Sequence, residues 1–464
     1  MSDGGLGRAA AACLFPGFDG ETAPDWLKGL LAEGLGGVVL FSRNISDPQQ
    51  VAALTAALRV EQPDLLVATD EEGGDVTRLE TASGSSFPGN LALGAVDDPA
   101  LTRRVGRAIG GELASAGIDL DLAPVADVLL DPASAIVGVR SFGSDPQLVG
   151  RHVAAFVEGM QSVGVAACVK HFPGHGETVA DSHLELPSSD ASLEVLRERA
   201  LPPFAAAVEA GVRAVMTAHI RFAAFGDEPA TLNGAVIELL RAELGFDGVV
   251  MTDALEMQGA GGPAGIERSA VHALVAGADA LCLGAELTPE QVEGVHAAVV
   301  SAVREGTLAE ERLVEAAGRV AELTAWTSPQ PLEDRQAGGE AARRALQVEG
   351  DAVVGENPLV AELQPEPTIA AGPAGHGLGE LLGADTIRLH EDDRLPLLDA
   401  DRTLVLVLRD AHRYPWQREL VVPGAVVIET GVPEWRPAGV RAFVATHGPG
   451  RANLRAAAEL LQGG

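Results

Sequence analysis

The stretch VGVAACVKHFPGHGETVADSH, residues 163–183, opens on seven uncharged residues and changes character at Lys170. An apolar run of that length without polar alternation reads as a strand of a parallel sheet covered on both faces. The segment after it is dense in titratable groups, with Lys170, His171, His175, Glu177, Asp181 and His183 in close succession. Lysine is otherwise almost absent, Lys28 being the only other one in the chain. A metal site, a phosphate loop and a sugar-cleaving site would each fit this segment alone, so the surrounding pattern has to decide.

Seven more runs share the character of the first: AAACLF (10–15), GGVVLFS (36–42), DLLVATD (64–70), IDLDLAPV (118–125), VRAVMTAH (212–219), GVVMTDA (248–254) and ADALCLG (278–284). Helical patterns lie between them, as at 48–61 and 193–210, and two more, 287–305 and 308–325, follow the last run. Eight β/α units in about 330 residues predict a TIM (β/α)8-type barrel with insertions. An open doubly wound sheet is the alternative topology for the same pattern. Beyond it, TSPQPLEDRQ (327–336) breaks the apolar pattern and reads as a linker. A helix near 338–349 follows, then strand-like runs at 368–372, 386–390, 403–409, 425–430 and 441–448, and a helix at 451–461. The expected organisation is α/β throughout. It comprises a barrel over 1–326, a linker over 327–337 and a smaller open α/β sandwich domain over 338–464.

Composition agrees with two packed domains. The chain has 464 residues, 47% of them hydrophobic and only 4% aromatic, with Gly and Ala in place of larger side chains. A net charge of −33 disfavours nucleic acid and anionic membrane surfaces as partners. Cys13, Cys168 and Cys282 sit in apolar runs and read as buried thiols, with no CxxC pair to suggest zinc. AAAC near the N-terminus loosely resembles a lipoprotein cleavage site, but Asp3 and Arg8 leave no room for an apolar signal core. No run of about 18 apolar residues suggests a membrane span. The expectation is a cytoplasmic protein that uses no cofactor and no metal.

Barrel enzymes carry their chemistry at the carboxyl ends of the strands. Here the third run closes on Asp70, the fifth on Lys170 and His171, the sixth on His219 and the seventh on Asp253. One acid after a strand is often only a helix N-cap. Four strands ending on titratable residues predict a polar pocket on one face.

KHFPGHGETVADSH (170–183) together with GVVMTDALEM (248–257) resembles glycoside hydrolase family 3, and within it the bacterial β-N-acetylglucosaminidase branch. DEEGGDVTR (70–78) and GVRSFGSDP (138–146) follow the family's order, and the resemblance covers roughly residues 5–325. It implies a retaining hydrolase with Asp253 as nucleophile and the histidine of the D-x-H motif, His183, as acid/base, with Asp181 orienting the imidazole. By the same resemblance Asp70, Arg78, Arg140, Lys170 and His171 bind the non-reducing sugar of a small oligosaccharide or muropeptide, and His175 shapes the loop. The chemistry is coherent, because retention needs a nucleophile on one side of the sugar and a proton donor on the other, and an imidazole beside a carboxylate can serve near neutral pH. Two residues depart from the pattern: Asp75 stands where relatives often carry a basic residue, and Ala254 where a second acid is common.

Other readings remain open on the residues. A metallohydrolase using His171, His175, His183 and Asp181 would need His171 and His175 on one helical face, which Pro173 and Gly174 interrupt. A β-glucosidase of the family would take its acid from the second domain. A phosphorylase would also suit a histidine acid/base, and a non-catalytic sugar-binding protein would not need both Asp253 and His183.

Overall fold

The computed structural model describes residues 2–134, 136–176, 186–262, 265–366, 377–397 and 402–463. All eight apolar runs contain strands, which we number β1 Leu14–Pro16, β2 Gly37–Leu40, β3 Leu66–Thr69, β4 Leu120–Asp121, β5 Ala166–Phe172, β6 Ala214–Thr217, β7 Val249–Thr252 and β8 Leu281–Gly284. β2 to β7 form one parallel sheet in chain order, and β1 pairs with β8. The curl closes through a Met251–Ala280 bridge on one side and a Gly36 N–H bond to the Ala11 carbonyl on the other. This is a TIM-type barrel. Its interior is filled by alternate residues of the strands, among them Phe15, Val39, Ala68, Leu120, Cys168, Met216 and Met251, with Val320 and Leu323 of the helix Glu310–Trp326 plugging one end.

Several connecting helices start in the same way. Asp47, Asp98 and Asp145 each precede a proline at the first helical turn, and each side chain accepts a backbone N–H from that turn. Proline loses nothing there, since that N–H has no helical partner, and the aspartate cap is worth about 1 kcal/mol. The predicted helix at 193–210 is instead two, Leu193–Arg199 and Pro202–Glu209, because Pro202 cannot continue the first.

The second domain is an open sheet of β9 Gln347–Gly350, β10 Leu359–Leu363, β11 Asp385–Leu389, β12 Leu404–Leu408, β13 Val426–Glu429 and β14 Ala442–Ala445, in the order β9-β14-β13-β12-β10-β11. Only β9 runs antiparallel. Alternation along β12 sends Val405 and Val407 to one face and Leu404, Leu406 and Leu408 to the other, and both faces are covered. The run expected at 368–372 lies outside the described residues. The strand Leu359–Leu363 was not expected, and the predicted helix near 338–349 is Arg335–Ala345 followed by β9. No helix among the described residues is long and apolar enough to cross a membrane.

The two domains meet at the carboxyl ends of both sheets. Val432 packs with Leu91, Leu129, Val137 and Val139. The Ala452 N–H bonds to the Ser85 carbonyl at 3.0 Å, and His412 Nε2 lies 2.8 Å from the Pro132 carbonyl.

Candidate active site

The two-residue period of a strand explains which side chains face the barrel mouth. Ala68, Cys168 and Met251 point inward, and the next inward positions along their strands are Asp70, Lys170 and Asp253. Leu122, Met216 and Cys282 form the floor beneath them. The resulting cavity has a volume of about 550 Å³. Pairing of β5 with β6 shifts register between Val169 and Phe172, so His171 faces the cavity beside Lys170. Irregularities of this kind re-aim side chains next to active sites. His219 has the opposite parity. Its Nδ1 lies 2.9 Å from Thr231 Oγ1 and its Nε2 3.0 Å from the Ala254 carbonyl, so it braces the turn after Asp253 instead of lining the pocket. That corrects the expectation that the titratable residues at all four strand ends face one cavity.

Asp70, Arg78, Arg140, Lys170, His171 and Asp253 all line the cavity. Asp181 and His183 lie outside the described residues. Lys170 Nζ stands 2.6 Å from Asp70 Oδ1 and 2.8 Å from Glu72 Oε1. Arg140 grips Glu72 with two bonds, Nη2 at 2.7 Å and Nε at 2.9 Å, and donates a third to the Ile136 carbonyl. Arg78 Nη2 is 4.0 Å from Asp70 Oδ2. Burial opposes ionisation of Glu72, Arg140 and Lys170, yet their partners outweigh it. Arg140 and Lys170 hold the Glu72 carboxyl well below the usual range, while Asp70 and Glu72 push Lys170 upward and Glu72 does the same to Arg140. Glu72, Arg140 and Lys170 are therefore held in their charged forms, with their donors and acceptors fixed before any ligand arrives.

Sequence reading missed Glu72 and Asp127. Asp127 is buried and receives the His175 N–H at 2.6 Å, while its other oxygen lies 2.8 Å from His171 Nδ1. His171 and His175 hold its carboxyl below the ordinary value despite burial. It thus orients His171 and fixes the backbone at His175, from which the sequence runs on to Asp181 and His183. The available signal was an aspartate two residues past the apolar run 118–125. Beneath the network lie two further buried acids. Glu71 accepts the N–H groups of Arg78 and Leu79, and Asp121 accepts that of Glu71. Burial pushes Glu71 up to about 7 and Asp121 well above its ordinary value. Burial likewise lowers His175 to about 4, which keeps its ring neutral.

The rim carries Phe41, Arg43, Glu256 and Glu286. Glu256 accepts the N–H groups of Ala285 and Glu286 at 2.8 and 2.6 Å, and Glu286 pairs with Arg43. Ala254 donates its N–H to Asp253 Oδ1 at 2.8 Å. Asp75, the departure from the family pattern, pairs with Arg409 of the second domain. Among the described residues no three His, Cys, Asp or Glu side chains converge as metal ligands.

A closed-ended cavity lined by preset ion pairs, with one strand-end carboxylate facing them, suits a polyhydroxylated substrate. Residues 19–323 match the glycosyl hydrolase family 3 N terminal domain, and the chain belongs to that family of glycoside hydrolases. It is 40% identical over 283 residues to a beta-hexosaminidase of Stenotrophomonas maltophilia (strain K279a), covering 59% of this chain and 82% of the relative. A glycoside hydrolase family 3 beta-N-acetylglucosaminidase from Paenibacillus sp. str. FPU-7 superposes with a TM-score of 0.87 at 32% identity, over 99% of this chain and 96% of that one. The likeness therefore spans both domains. A beta-N-acetylhexosaminidase from Beutenbergia cavernae DSM 12333 gives a TM-score of 0.62 at 31% identity, covering 69% of this chain and 98% of the other.

Proposed function

We propose that the chain is a retaining β-N-acetylglucosaminidase. In this reading it removes terminal non-reducing β-linked N-acetylglucosamine from cell-wall (muropeptide) or chitin-type oligosaccharides in the cytoplasm. The observation that carries the proposal is the shared pocket of Asp253 and the ion-paired set Asp70, Lys170, Glu72 and Arg140. The floor of Leu122, Met216 and Cys282 closes that pocket, which suits a sugar at a chain end. The names of the similar proteins point the same way.

Asp70, Arg78, Arg140, Lys170 and His171 hold the hydroxyls of the terminal sugar. Charged partners fixed in advance favour such recognition, because a ligand lacking one hydroxyl leaves a buried charge short of a bond. The Asp253 carboxylate attacks the anomeric carbon. As the bond to the leaving oxygen breaks, His183 gives that oxygen a proton, and a covalent glycosyl-enzyme results. His183 then takes a proton from water, which attacks the same carbon and frees Asp253. Asp181 steadies the imidazolium. Among the other described carboxylates lining the pocket, Asp70 and Glu72 pair with cations, Glu256 accepts two backbone N–H groups, and Glu286 pairs with Arg43. Every assigned group falls within residues 1–326, which we take as the catalytic domain. The linker 327–337 and the domain 338–464 supply none.

Proton NMR of the first-formed product from a nitrophenyl N-acetyl-β-glucosaminide tests the reading. The β-anomer should appear first, in phosphate-free buffer and without added metal. An α-anomer first, a requirement for phosphate, or activity lost to a chelator and restored by zinc would overturn it.

A further inference from the structure

The second sheet repeats the feature that marks the barrel pocket. Three central parallel strands carry a charged residue at or just past the carboxyl end: Glu362 in β10, Arg409 after β12 and Glu429 in β13. Glu429 is accounted for, because it accepts the N–H groups of Asp410, Ala411 and Gly431 and so builds the loops facing the barrel. Glu362 and Arg409 instead border a cavity of about 390 Å³.

The topology explains why a cavity lies there. The parallel strands run in the order β11-β10-β12-β13-β14, so the chain leaves β10 in one direction for β11 and returns on the other side for β12. Connections that depart in opposite directions leave a crevice at the carboxyl ends of the two strands. In open α/β sheets this is where ligands bind. The volume is within the range of small-molecule sites. The described residues that line it and those that line the barrel cavity have no member in common.

The lining defines the chemistry. Glu362 is only 4% exposed, on a strand otherwise made of Leu, Val and Ala. An ionised side chain buried there costs stability unless something engages it. One oxygen accepts the Gly379 N–H at 3.1 Å and the other lies 3.5 Å from Arg388 Nε. The backbone passes so close that a Cβ on Gly377 would sit 1.8 Å from Glu362 Oε1. The position where a phosphate would meet the start of the next helix is thus filled by the protein's own carboxylate, which disfavours an anion. Arg388 uses only Nε in this contact and keeps its terminal N–H groups for another partner. A carboxylate beside a guanidinium presents acceptors next to donors, the set a pair of neighbouring hydroxyls can use together. Leu363, Val407 and Leu454 supply an apolar wall for the C–H face. His390 supplies the one aromatic ring among the described lining residues, with no Phe, Tyr or Trp beside it.

We infer that this crevice is a second carbohydrate site, taking a mono- or disaccharide through Glu362 and Arg388. Its recognition chemistry is that of the barrel cavity, ion-paired carboxylate and cation acting together. Arg409 borders the crevice and also pairs with Asp75, so an occupant sits one ion pair from the loop that carries Asp70 and Arg78.

Equilibrium dialysis of the full-length chain against labelled N-acetylglucosamine, labelled glucose and inorganic phosphate tests the inference without turnover. Lys170→Ala weakens the barrel site and leaves the crevice intact. That variant should still bind one equivalent of saccharide, and adding Arg388→Ala or Glu362→Gln should weaken this binding at least tenfold. The Arg388 side chain is 64% exposed, so its removal spares the fold. Arg388→Ala alone should leave hydrolysis unchanged. Absence of saccharide binding to Lys170→Ala, binding insensitive to Arg388→Ala, or phosphate held there in place of a saccharide would overturn the assignment.

Discussion

Glu72 is the residue on which the charged network turns, and its removal should be felt in stability and in substrate binding separately. Its side chain is 2% exposed and receives one bond from Lys170 and two from Arg140. After Glu72→Ala, Lys170 keeps Asp70, but Arg140 keeps only the Ile136 carbonyl. Breaking one partner out of a buried pair costs about 3–5 kcal/mol, most of it from the charge left behind. The urea midpoint should fall accordingly. The pH dependence has a definite sign. The folded carboxyl is held below its ordinary value, so its contribution is present above about pH 4.5 and lost as the pH falls through the depressed folded value. The gap between wild type and variant should therefore narrow in acid. Arg140 and Lys170 also face the cavity, and losing their preset geometry should cost about 2 kcal/mol of substrate binding, roughly 30-fold in kcat/KM. Nitrophenyl N-acetyl-β-glucosaminide turnover per folded molecule measures this. A stability change within about 0.5 kcal/mol, typical of an ordinary surface site, would refute the energetic argument. A large loss of stability with unchanged kcat/KM would refute the role of the network in holding substrate.

Asp253→Ala should abolish turnover on every substrate, whereas His183→Ala should accumulate a glycosyl-enzyme on nitrophenyl substrates and be accelerated by azide, giving a β-glycosyl azide. Quenched intact-protein mass spectrometry reads the intermediate, and full activity of His183→Ala on a disaccharide would redirect the search for the acid to a carboxylate, with Glu256 the first to test. Asp75→Asn and Arg409→Gln should each destabilise by about 2–4 kcal/mol and the double variant by less than their sum, a coupling of about 1–3 kcal/mol in a urea double-mutant cycle; strict additivity would mean the pair does not join the domains. Burial raises Glu71 from 4.5 to about 7, so its contribution is complete below about pH 4.5 and lost as the pH rises towards 7. Glu71→Gln should reduce that loss by up to about 3 kcal/mol in urea titrations at both ends of the range, and an unchanged slope would show that Glu71 stays ionised.

The barrel was legible because a strand covered on both faces must be apolar at nearly every position, which leaves an uninterrupted run in the sequence. Asp70, Lys170 and Asp253 were legible for the same reason: each ends such a run at the parity that faces the mouth. His219 also ends a run, but at the other parity, and runs alone do not reveal parity. Glu72 and Asp127 lie in irregular segments past the strands, where acids are ordinary surface residues. Only the approach of Arg140, 68 residues from Glu72, and of His171, 44 from Asp127, makes them buried partners. β10 escaped notice because Glu362 interrupts its apolar pattern, and that residue is the one facing the crevice.

Asp75 shows how a local departure can be resolved by a distant one. A carboxylate in place of a basic residue, on the loop that carries Asp70 and Arg78, looks like a liability in a chain with a net charge of −33. The second domain supplies the cation: Arg409, 334 residues later, stands at the carboxyl end of β12. Burial alone would lower the Arg409 pKa, and Asp75 together with Asp410 holds it above its ordinary value. Around this pair the Gly450 backbone comes so near Gly74 that a Cβ on Gly450 would lie 2.8 Å from the Gly74 Cα. Val432 meanwhile fills the space over Leu91, Leu129, Val137 and Val139, next to the turn that presents Arg140. The second domain thus holds the two loops that carry Asp70, Arg78 and Arg140, and none of its described residues lines the barrel cavity. In the proposed function, a domain in that position governs how firmly the sugar-binding residues are held, while the bond-breaking groups belong to the barrel.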